Sequence, residues 1–224
     1  MAFNKLFRAA ASISSLLSKT KELNGQETPE QLVAMAMESP VIAPQQIPSE
    51  FNELARLVKE KDCQRILEIG TYRGGTLFVF SRLSQPDATI ISVDYSLTFH
   101  GKIVRSLQPP LFRRIMQPRQ KLSLLRADSH SPETLKKIES ILNGAQLDFL
   151  FIDGDHRYEG VKQDFDMYSP LVRAGGLVAF HDIARTNKVE EVYRFWGEVK
   201  QRYSHREFVH RTDDGAMGIG VLQL

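Results

Sequence analysis

The sequence lacks the features that mark secreted or membrane-spanning proteins. Cys63 is its one cysteine, so an internal disulfide bond cannot form, and we expect a reducing, cytoplasmic location. No stretch approaches the roughly 20 consecutive apolar residues of a membrane-spanning helix. Internal repeats and low-complexity tracts are missing as well. We therefore expect a globular protein without a transmembrane segment.

Acidic residues are missing from the first 21 positions, which contain the cations Lys5, Arg8, Lys19 and Lys21. Serines interrupt the apolar residues of this stretch, so it does not have the apolar core of a secretory signal. We interpret it as an amphipathic helix that serves as a packing or oligomerisation arm, and we expect a homo-oligomer. A role at a membrane surface is the alternative.

The remaining composition is that of one globular domain. Of the 224 residues, 42% are hydrophobic and 25% are charged, with a net charge of +2. This balance excludes extensive disorder, and it does not call for nucleic acid as a partner. We place a helical arm and linker at 1–48 and one larger domain at 49–224.

Short apolar runs alternate with amphipathic segments after residue 48. Apolar spacing of three and four residues predicts helices that start near Tyr158 and Val189 and continue to Val172 and Tyr203. Thr28 and Ser49 are predicted to cap two earlier helices, and a further helix is predicted at 76–83. Strands are predicted at 65–69, 89–94, 121–128, 147–153 and 175–182. Because these strands are apolar nearly throughout, they indicate an α/β fold whose parallel sheet is covered by helices on both faces.

The C-terminal segment has a different pattern. Two strand-like runs flank Asp213-Asp214-Gly215, which is a hairpin signal. We therefore expect the sheet to end in antiparallel strands.

The first predicted strand leads into a glycine-rich turn, LEIGTYRGGT. Gly70, Gly74 and Gly75 would let the backbone turn tightly and approach a ligand. The spacing is not that of a dinucleotide-binding turn, because Tyr72 occupies the second glycine position of that motif. Glu68 precedes the turn within an apolar strand, so we expect it to have a cationic or hydrogen-bonding partner.

Acidic residues follow the next two predicted strands. Asp94 lies about 20 residues after the glycine turn, a position suited to accept hydrogen bonds from a ribose diol. Asp128 and Ser129 end the third predicted strand and could face an adenine edge. Alternatively, one of them caps the following helix.

Five segments together resemble the class I S-adenosylmethionine-dependent methyltransferases: ILEIGTYRGGT, SVD, LRADS, DFLFIDGDHRYEGVKQDF and LVRAGGLVAFHD. The similarity extends from residue 51 to the C-terminus. It is most specific to the branch of cephalosporin hydroxylase-like proteins and macrolide-sugar O-methyltransferases. The resemblance implies a Rossmann-like, seven-stranded, mostly parallel sheet with an antiparallel C-terminal strand and extra N-terminal helices.

The resemblance also implies a binding site for S-adenosyl-L-methionine. Gly70, Thr71, Gly74 and Gly75 would surround its methionine part, Asp94 would hold the ribose, and Asp128 with Ser129 would lie near the adenine. We assign Glu68 and Asp153 to cofactor binding as well.

The resemblance further implies that Asp153 and Asp182 bind a divalent metal ion and that His156 is the general base. His181 stands where the relatives have an acidic residue, and imidazole suits transition metals better than Mg²⁺. We therefore assign Asp153, His181 and Asp182 to a site for Mg²⁺ or a transition metal. Asp155 is a ligand, a supporting residue or a turn residue, and His156 could instead be a surface histidine of the turn.

Residues 95–127 contain no carboxylate but seven Lys and Arg residues between apolar ones. Because this segment starts at the expected rim of the cofactor site, we predict a basic lid at about 96–120 that favours an anionic or amphiphilic acceptor. The alternative is a helix pair whose Arg stems pack on the core. His100 and His130 have no motif around them and are interpreted as incidental.

The leading functional hypothesis is methyl transfer to a hydroxyl oxygen of a small-molecule acceptor. A non-catalytic protein that binds cofactor or a partner on the same fold is the alternative. A link to oxidative chemistry would need a second histidine in a facial triad, which the sequence does not offer clearly. Nucleic-acid methylation is disfavoured, because no NPPY-type tetrad follows the fourth predicted strand.

Overall fold

The computed structural model describes residues 2–95, 102–184, 191–210 and 217–224. Eight α-helices lie in these ranges: α1 Ala2–Lys21, α2 Pro29–Met37, α3 Pro48–Lys61, α4 Gly75–Leu83, α5 Lys102–Ile115, α6 Pro132–Leu142, α7 Tyr158–Tyr168 and α8 Glu191–Val199. The seven strands there are β1 Arg65–Ile69, β2 Thr89–Val93, β3 Lys121–Leu125, β4 Leu147–Ile152, β5 Val172–His181, β6 Ser204–Phe208 and β7 Ile219–Gln223. In the described part of the chain, no helix combines the length and the apolar character needed to cross a membrane.

All seven strands form one sheet in the order β3-β2-β1-β4-β5-β7-β6. The first five are parallel to one another, and β7 pairs antiparallel with both β5 and β6. Strand order reverses between β1 and β4, where a parallel sheet opens a crevice at its carboxyl edge. The predicted fold class, including the antiparallel end, is confirmed. The turn at 213–215 that suggested it lies outside the described residues.

Each face of the sheet is covered by helices. Helices α1 to α5 pack on one face, around buried residues such as Ile66 and Phe149, and α6 to α8 cover the other, around Leu67 and Leu150. Neighbouring residues of one strand point to opposite faces, so a strand buried on both sides must be apolar nearly throughout. This explains the continuous apolar runs in the sequence.

The N-terminal segment packs on the same core as the rest of the chain. Leu16 of α1 and Leu32, Val33 and Ala36 of α2 are buried in it. Thr28 caps α2 with a reciprocal capping box, as expected. The boundary at residue 48 between arm and domain stays a prediction.

Several element boundaries differ from the prediction. Ser49 does not cap α3, because the helix already begins at Pro48 and Ile47 stands at the cap without a side-chain hydrogen bond. β3 ends at Leu125 and not at 128. Val172, predicted on the stripe of α7, starts β5, since a 3₁₀ turn over Ser169–Leu171 separates the helix from the strand.

Candidate active site

A cavity of ≈ 730 Å³ opens at the carboxyl edge of the sheet, beside the strand-order reversal. It brings together nearly all of the predicted site residues. The residues among them that line it are Gly70, Thr71, Gly74, Gly75, Asp94, Asp128, Ser129, Asp153, His156, His181 and Asp182. Glu68 is the exception, because it lies behind the glycine turn. The structure therefore brings together residues that the resemblance assigned to one site.

The glycine turn has a geometry that other residues would not tolerate. Gly70 has φ of +95°, and a Cβ there would lie 2.0 Å from the carbonyl oxygen of Asp153. Gly74, at the start of α4, has φ of +85°, and a Cβ there would lie 2.0 Å from the ring of Phe112. The turn can lie this close to β4 and α5 because Gly70 and Gly74 have no side chain at the points of contact.

Glu68 is fully buried beneath this turn. Its carboxyl oxygens accept hydrogen bonds from Thr76 Oγ1 and from Ser92 Oγ, the latter at 2.8 Å. Ser92 also contacts the hydroxyl of Thr71, which lines the cavity. Burial raises the pKa of Glu68 to about 8 against the effect of the two hydroxyls. The expected hydrogen-bonding partners are present, and Glu68 supports the turn from inside the protein.

Asp94 follows β2 at the rim of the cavity. Its Oδ2 accepts a hydrogen bond of 2.8 Å from the backbone N–H of Tyr72 in the glycine turn. This hydrogen bond fixes the carboxylate beside the turn. A group that binds a ribose diol needs such a fixed orientation. Its role toward a ribose stays a prediction.

The loop after β3 contributes Asp128, Ser129 and His130 to the cavity wall. Neither Asp128 nor Ser129 caps the next helix, because Ser131 accepts the hydrogen bond from Glu133 N at the start of α6. Asp128 Oδ1 accepts instead from the backbone of His130, which tightens the loop. Asp128 and Ser129 are therefore not needed as caps.

Sequence reasoning treated His130 as incidental, but it faces a buried carboxylate. Its Nε2 lies 3.3 Å from Oδ1 of Asp164, a residue of α7 whose side chain is completely buried. Burial raises the pKa of Asp164. A signal was available in the sequence, because Asp164 interrupts the apolar stripe of α7 between Val161 and Tyr168, as Glu68 interrupts its strand.

Two acids and two histidines meet at the centre of the cavity, where β4 and β5 end side by side. His181 Nδ1 lies 3.2 Å from Oδ1 of Asp153 and 3.6 Å from Oδ2 of Asp182. His156 spans the same pair, with Nε2 3.5 Å from Asp153 Oδ1 and Nδ1 3.3 Å from Asp182 Oδ2. Asp155 accepts hydrogen bonds from the backbone and side chain of Arg157 and so acts as a turn residue.

The four side chains shift one another's pKa values. Burial alone would raise the pKa of Asp153, but the charge of His181 and the hydrogen bond from His156 bring it down to about 2. Burial opposes protonation of His181, but the Asp153 carboxylate raises its pKa to about 9. The pKa of Asp182 is raised by its burial, and that of His156 is raised by its hydrogen bond to Asp153.

The residues at this centre fit a divalent cation. One oxygen of Asp153, one nitrogen of His181 and one oxygen of Asp182 all lie within 4.8 Å of one another. His181 Nε2 is buried and has no hydrogen-bond partner among the described residues. Two carboxylates and one imidazole suit Mn²⁺, Fe²⁺ or Zn²⁺ better than Mg²⁺.

Sequence reasoning missed Gln46, which lies between α2 and α3 and lines the cavity. Its Nε2 donates a hydrogen bond of 2.8 Å to Asp153 Oδ2. The contact joins residues 107 positions apart, so nothing in the local sequence could have indicated it.

The basic segment is described from Lys102 onward. The C-terminal half of α5 is part of the core, with Leu111, Phe112, Ile115 and Met116 buried, whereas Arg113 and Arg114 are exposed. This half matches the alternative of a packed helix with solvated arginines. His100 and the first part of the predicted lid lie outside the described residues, and the lid stays a prediction.

Comparisons with known proteins agree with this arrangement. A methyltransferase domain family matches residues 67–183 of the 224. Among solved structures, the chain is similar to an O-methyltransferase from Bacillus cereus in complex with SAH (TM-score 0.62, 20% identity, 88% of this chain and 90% of that one). It is also similar to the O-methyltransferase TomG from Streptomyces achromogenes in complex with SAM (TM-score 0.60, 18% identity, 94% of this chain and 96% of that one). A putative caffeoyl-CoA O-methyltransferase from Staphylococcus aureus is a third similar structure (TM-score 0.59, 17% identity, 94% of this chain and 98% of that one).

Curated relatives match a smaller part of their own length. The uncharacterized protein R132 of Acanthamoeba polyphaga mimivirus is 29% identical over 123 residues, which are 55% of this chain and 53% of that protein. The uncharacterized protein y4gI of Sinorhizobium fredii is 24% identical over 137 residues, 61% of this chain and 15% of that protein. Fold and cavity thus define a class I, Rossmann-like methyltransferase architecture. With the matched segment spanning more than half of its length, the chain belongs to the methyltransferase domain family.

Proposed function

We propose that this protein transfers a methyl group from S-adenosylmethionine to a hydroxyl oxygen of a small-molecule acceptor. The observation that carries the proposal is the meeting of the Gly70 turn with Asp153, His156 and Asp182 in one cavity. The glycines of the turn leave room for the cofactor to approach the backbone, and groups that can accept a proton lie beside it. The printed names of the structural neighbours, which are O-methyltransferases, support oxygen as the target atom.

The chemical step needs two contributions from this chain. The cavity must hold the acceptor oxygen in line with the methyl carbon and the cofactor sulfur. His156 must take the hydroxyl proton while the oxygen–carbon bond forms, the carbon–sulfur bond breaks and S-adenosylhomocysteine leaves. The His156 side chain is 48% exposed, so an acceptor in the cavity can reach it.

His156 can act as a base only when one ring nitrogen is free and unprotonated. Both of its nitrogens lie near carboxylates, which raise its pKa, so it must leave one carboxylate when the acceptor binds. A divalent cation held by Asp153, His181 and Asp182 would supply positive charge that lowers the pKa of the acceptor hydroxyl. A cytoplasmic location and a homo-oligomeric assembly stay predictions from the sequence.

The first test is calorimetric titration with S-adenosylmethionine and S-adenosylhomocysteine, followed by a screen of hydroxylated acceptors for S-adenosylhomocysteine formation. We expect micromolar binding and turnover of at least one acceptor. Failure of both ligands to bind would refute the proposal. Tight binding without turnover of any acceptor would favour the non-catalytic alternative.

The metal assignment has a test that does not depend on activity. Mn²⁺ should raise the melting temperature of the wild-type protein, because an ion that binds only the folded state stabilises it. Asp182→Asn should remove this effect. Asparagine tolerates the left-handed backbone that Asp182 adopts, with φ of 61°, so the substitution removes the charge and leaves the backbone in place. An equal Mn²⁺ response in both proteins would contradict the assignment.

A further inference from the structure

Gln46 belongs to a segment that forms one wall of the cavity. Pro44 and Pro48 flank it, and each proline fixes its own backbone φ. The segment lies directly on the glycine turn, because a Cβ on Gly75 would come within 2.3 Å of the Ile42 carbonyl oxygen and 2.5 Å of Pro44. The linker between α2 and α3 therefore packs against the glycine turn, which holds Gln46 in place.

The contact between Gln46 and Asp153 fixes the orientation of both side chains. A carboxylate only accepts hydrogen bonds, so the amide nitrogen of Gln46 must be the end that faces Asp153. This Nε2 donates to Asp153 Oδ2 at 2.8 Å. Oδ1, the other oxygen, faces His181 and His156. Gln46 thus determines which oxygen of Asp153 is presented to the two histidines.

The amide oxygen of Gln46 indicates that the hydrogen bond between Gln46 and Asp153 has a role besides stabilising the fold. The residue is 7% exposed, and its Oε1 is buried without a hydrogen-bond partner among the described residues. Burying an acceptor without a donor is unfavourable. An apolar side chain of the same length would avoid that cost but could not hold Asp153.

We propose that Gln46 is a positioning residue, which orients the Asp153 carboxylate toward His181 and His156 and makes the linker between α2 and α3 a part of the active site. Gln46 acts through Asp153 and takes no part in bond making. The predicted domain boundary at residue 48 would leave it outside the catalytic domain, so a protein truncated there would lack this support.

The test replaces Gln46 with methionine, which has a similar length and volume but no donor. The kinetic readout of this test rests on the proposed methyl transfer. A second readout, taken without substrate, does not depend on it. In metal-free, ¹⁵N-histidine-labelled protein, His181 Nδ1–H should give a signal of its hydrogen bond to Asp153 Oδ1. Gln201→Met, the same replacement at an exposed residue, is the matched control.

We expect Gln46→Met to shift or broaden the His181 signal and to lower kcat at least tenfold, with the Kd for S-adenosylhomocysteine changed less than threefold. Gln201→Met should change none of these quantities. An unchanged His181 signal together with kcat within twofold of wild type would overturn the assignment.

If the wild type converts no acceptor, only the proposed function fails, and the histidine spectrum still decides the role of Gln46. Should the methionine variant not fold, Gln46→Asn, which shortens the reach by one methylene, is measured in the same way.

Discussion

Gly70 and Asp153 lie so close together at the ends of β1 and β4 that a Cβ on Gly70 would sit 2.0 Å from the Asp153 carbonyl oxygen. Real atoms cannot approach to this distance, so the two strand ends can meet only with glycine at position 70. The same approach brings the glycine turn, which we propose to bind the cofactor, beside the carboxylate that we propose as a metal ligand. One backbone contact therefore joins the two halves of the candidate site.

Replacing Gly70 with alanine should disrupt this contact. The added methyl group meets backbone, which cannot move aside as a flexible side chain can, and alanine is strained at φ of +95°. We expect a loss of roughly 3 kcal/mol or more in the free energy of unfolding, together with the loss of S-adenosylhomocysteine binding. Denaturant unfolding and calorimetry measure the two effects.

Gly144→Ala separates the clash from the backbone strain. Gly144 has a similar φ of +80°, but nothing lies within 4 Å of the position that a Cβ would take. This variant should lose only about 1–2 kcal/mol and keep its affinity for S-adenosylhomocysteine. Equal effects of the two substitutions would show that the approach to Asp153 is unimportant.

His156→Ala tests the proposed general base. General-base catalysis typically contributes a factor of 10² to 10⁴, so turnover should fall by roughly a hundredfold or more. The Kd for S-adenosylhomocysteine should change little, because His156 binds the proton of the acceptor and not the cofactor. The control is His205→Ala, at an exposed histidine of β6. Full turnover by the His156 variant would rule this residue out as the base.

The architecture and most of the site follow from simple sequence patterns. The apolar runs identified the strands that Asp153 and the pair His181-Asp182 end, and parallel strands end at one edge of a sheet. The resemblance to class I methyltransferases implied that these residues meet at one site. Local rules were weaker at the boundaries. Ser49 has the chemistry of a cap, but Pro48 already provides the first residue of α3.

Other features depend on contacts that the sequence does not encode locally. Gln46 meets Asp153 only because the linker passes over the glycine turn, and that path results from the packing of α2 and α3 on the sheet. The rule that buried carboxylates need partners indicated Glu68, and it would have indicated Asp164 had it been applied to the stripe of α7. The identity of their partners, Thr76 and Ser92 for one and His130 for the other, required the tertiary structure.

Glu68 should make stability depend on pH. Its pKa is raised by burial from 4.5 to about 8 in the folded protein. The folded state therefore holds a proton that the unfolded state has lost, and the associated stability is complete below pH 4.5 and decreases as the pH rises to about 8. Glu68→Gln removes this dependence. Relative to wild type, the variant should gain stability on the order of several kcal/mol between pH 5 and pH 9.

Urea unfolding of both proteins at pH 5, 7 and 9 measures this difference. Glu207→Gln is the control, since Glu207 is exposed and its pKa is lowered, so its removal cannot produce a gain at high pH. A constant stability difference between wild type and Glu68→Gln across the three pH values would contradict the buried, protonated state of Glu68.

The exposed pair Arg113 and Arg114 tests whether the basic segment recognises an anionic acceptor. Replacing both with glutamate changes four units of charge on the exposed face of α5, while the buried residues of α5 that surround them remain. If the acceptor is anionic, its KM should rise roughly three- to tenfold at low salt and less at high salt, because salt screens exposed charges. The Kd for S-adenosylhomocysteine should not change.

Lys136→Glu with Lys137→Glu is the control. It makes the same change in net charge on the exposed face of α6, and it should leave KM near the wild-type value. A KM that is unchanged in the arginine variant, or equally raised in both variants, would mean that α5 has no specific part in binding the acceptor.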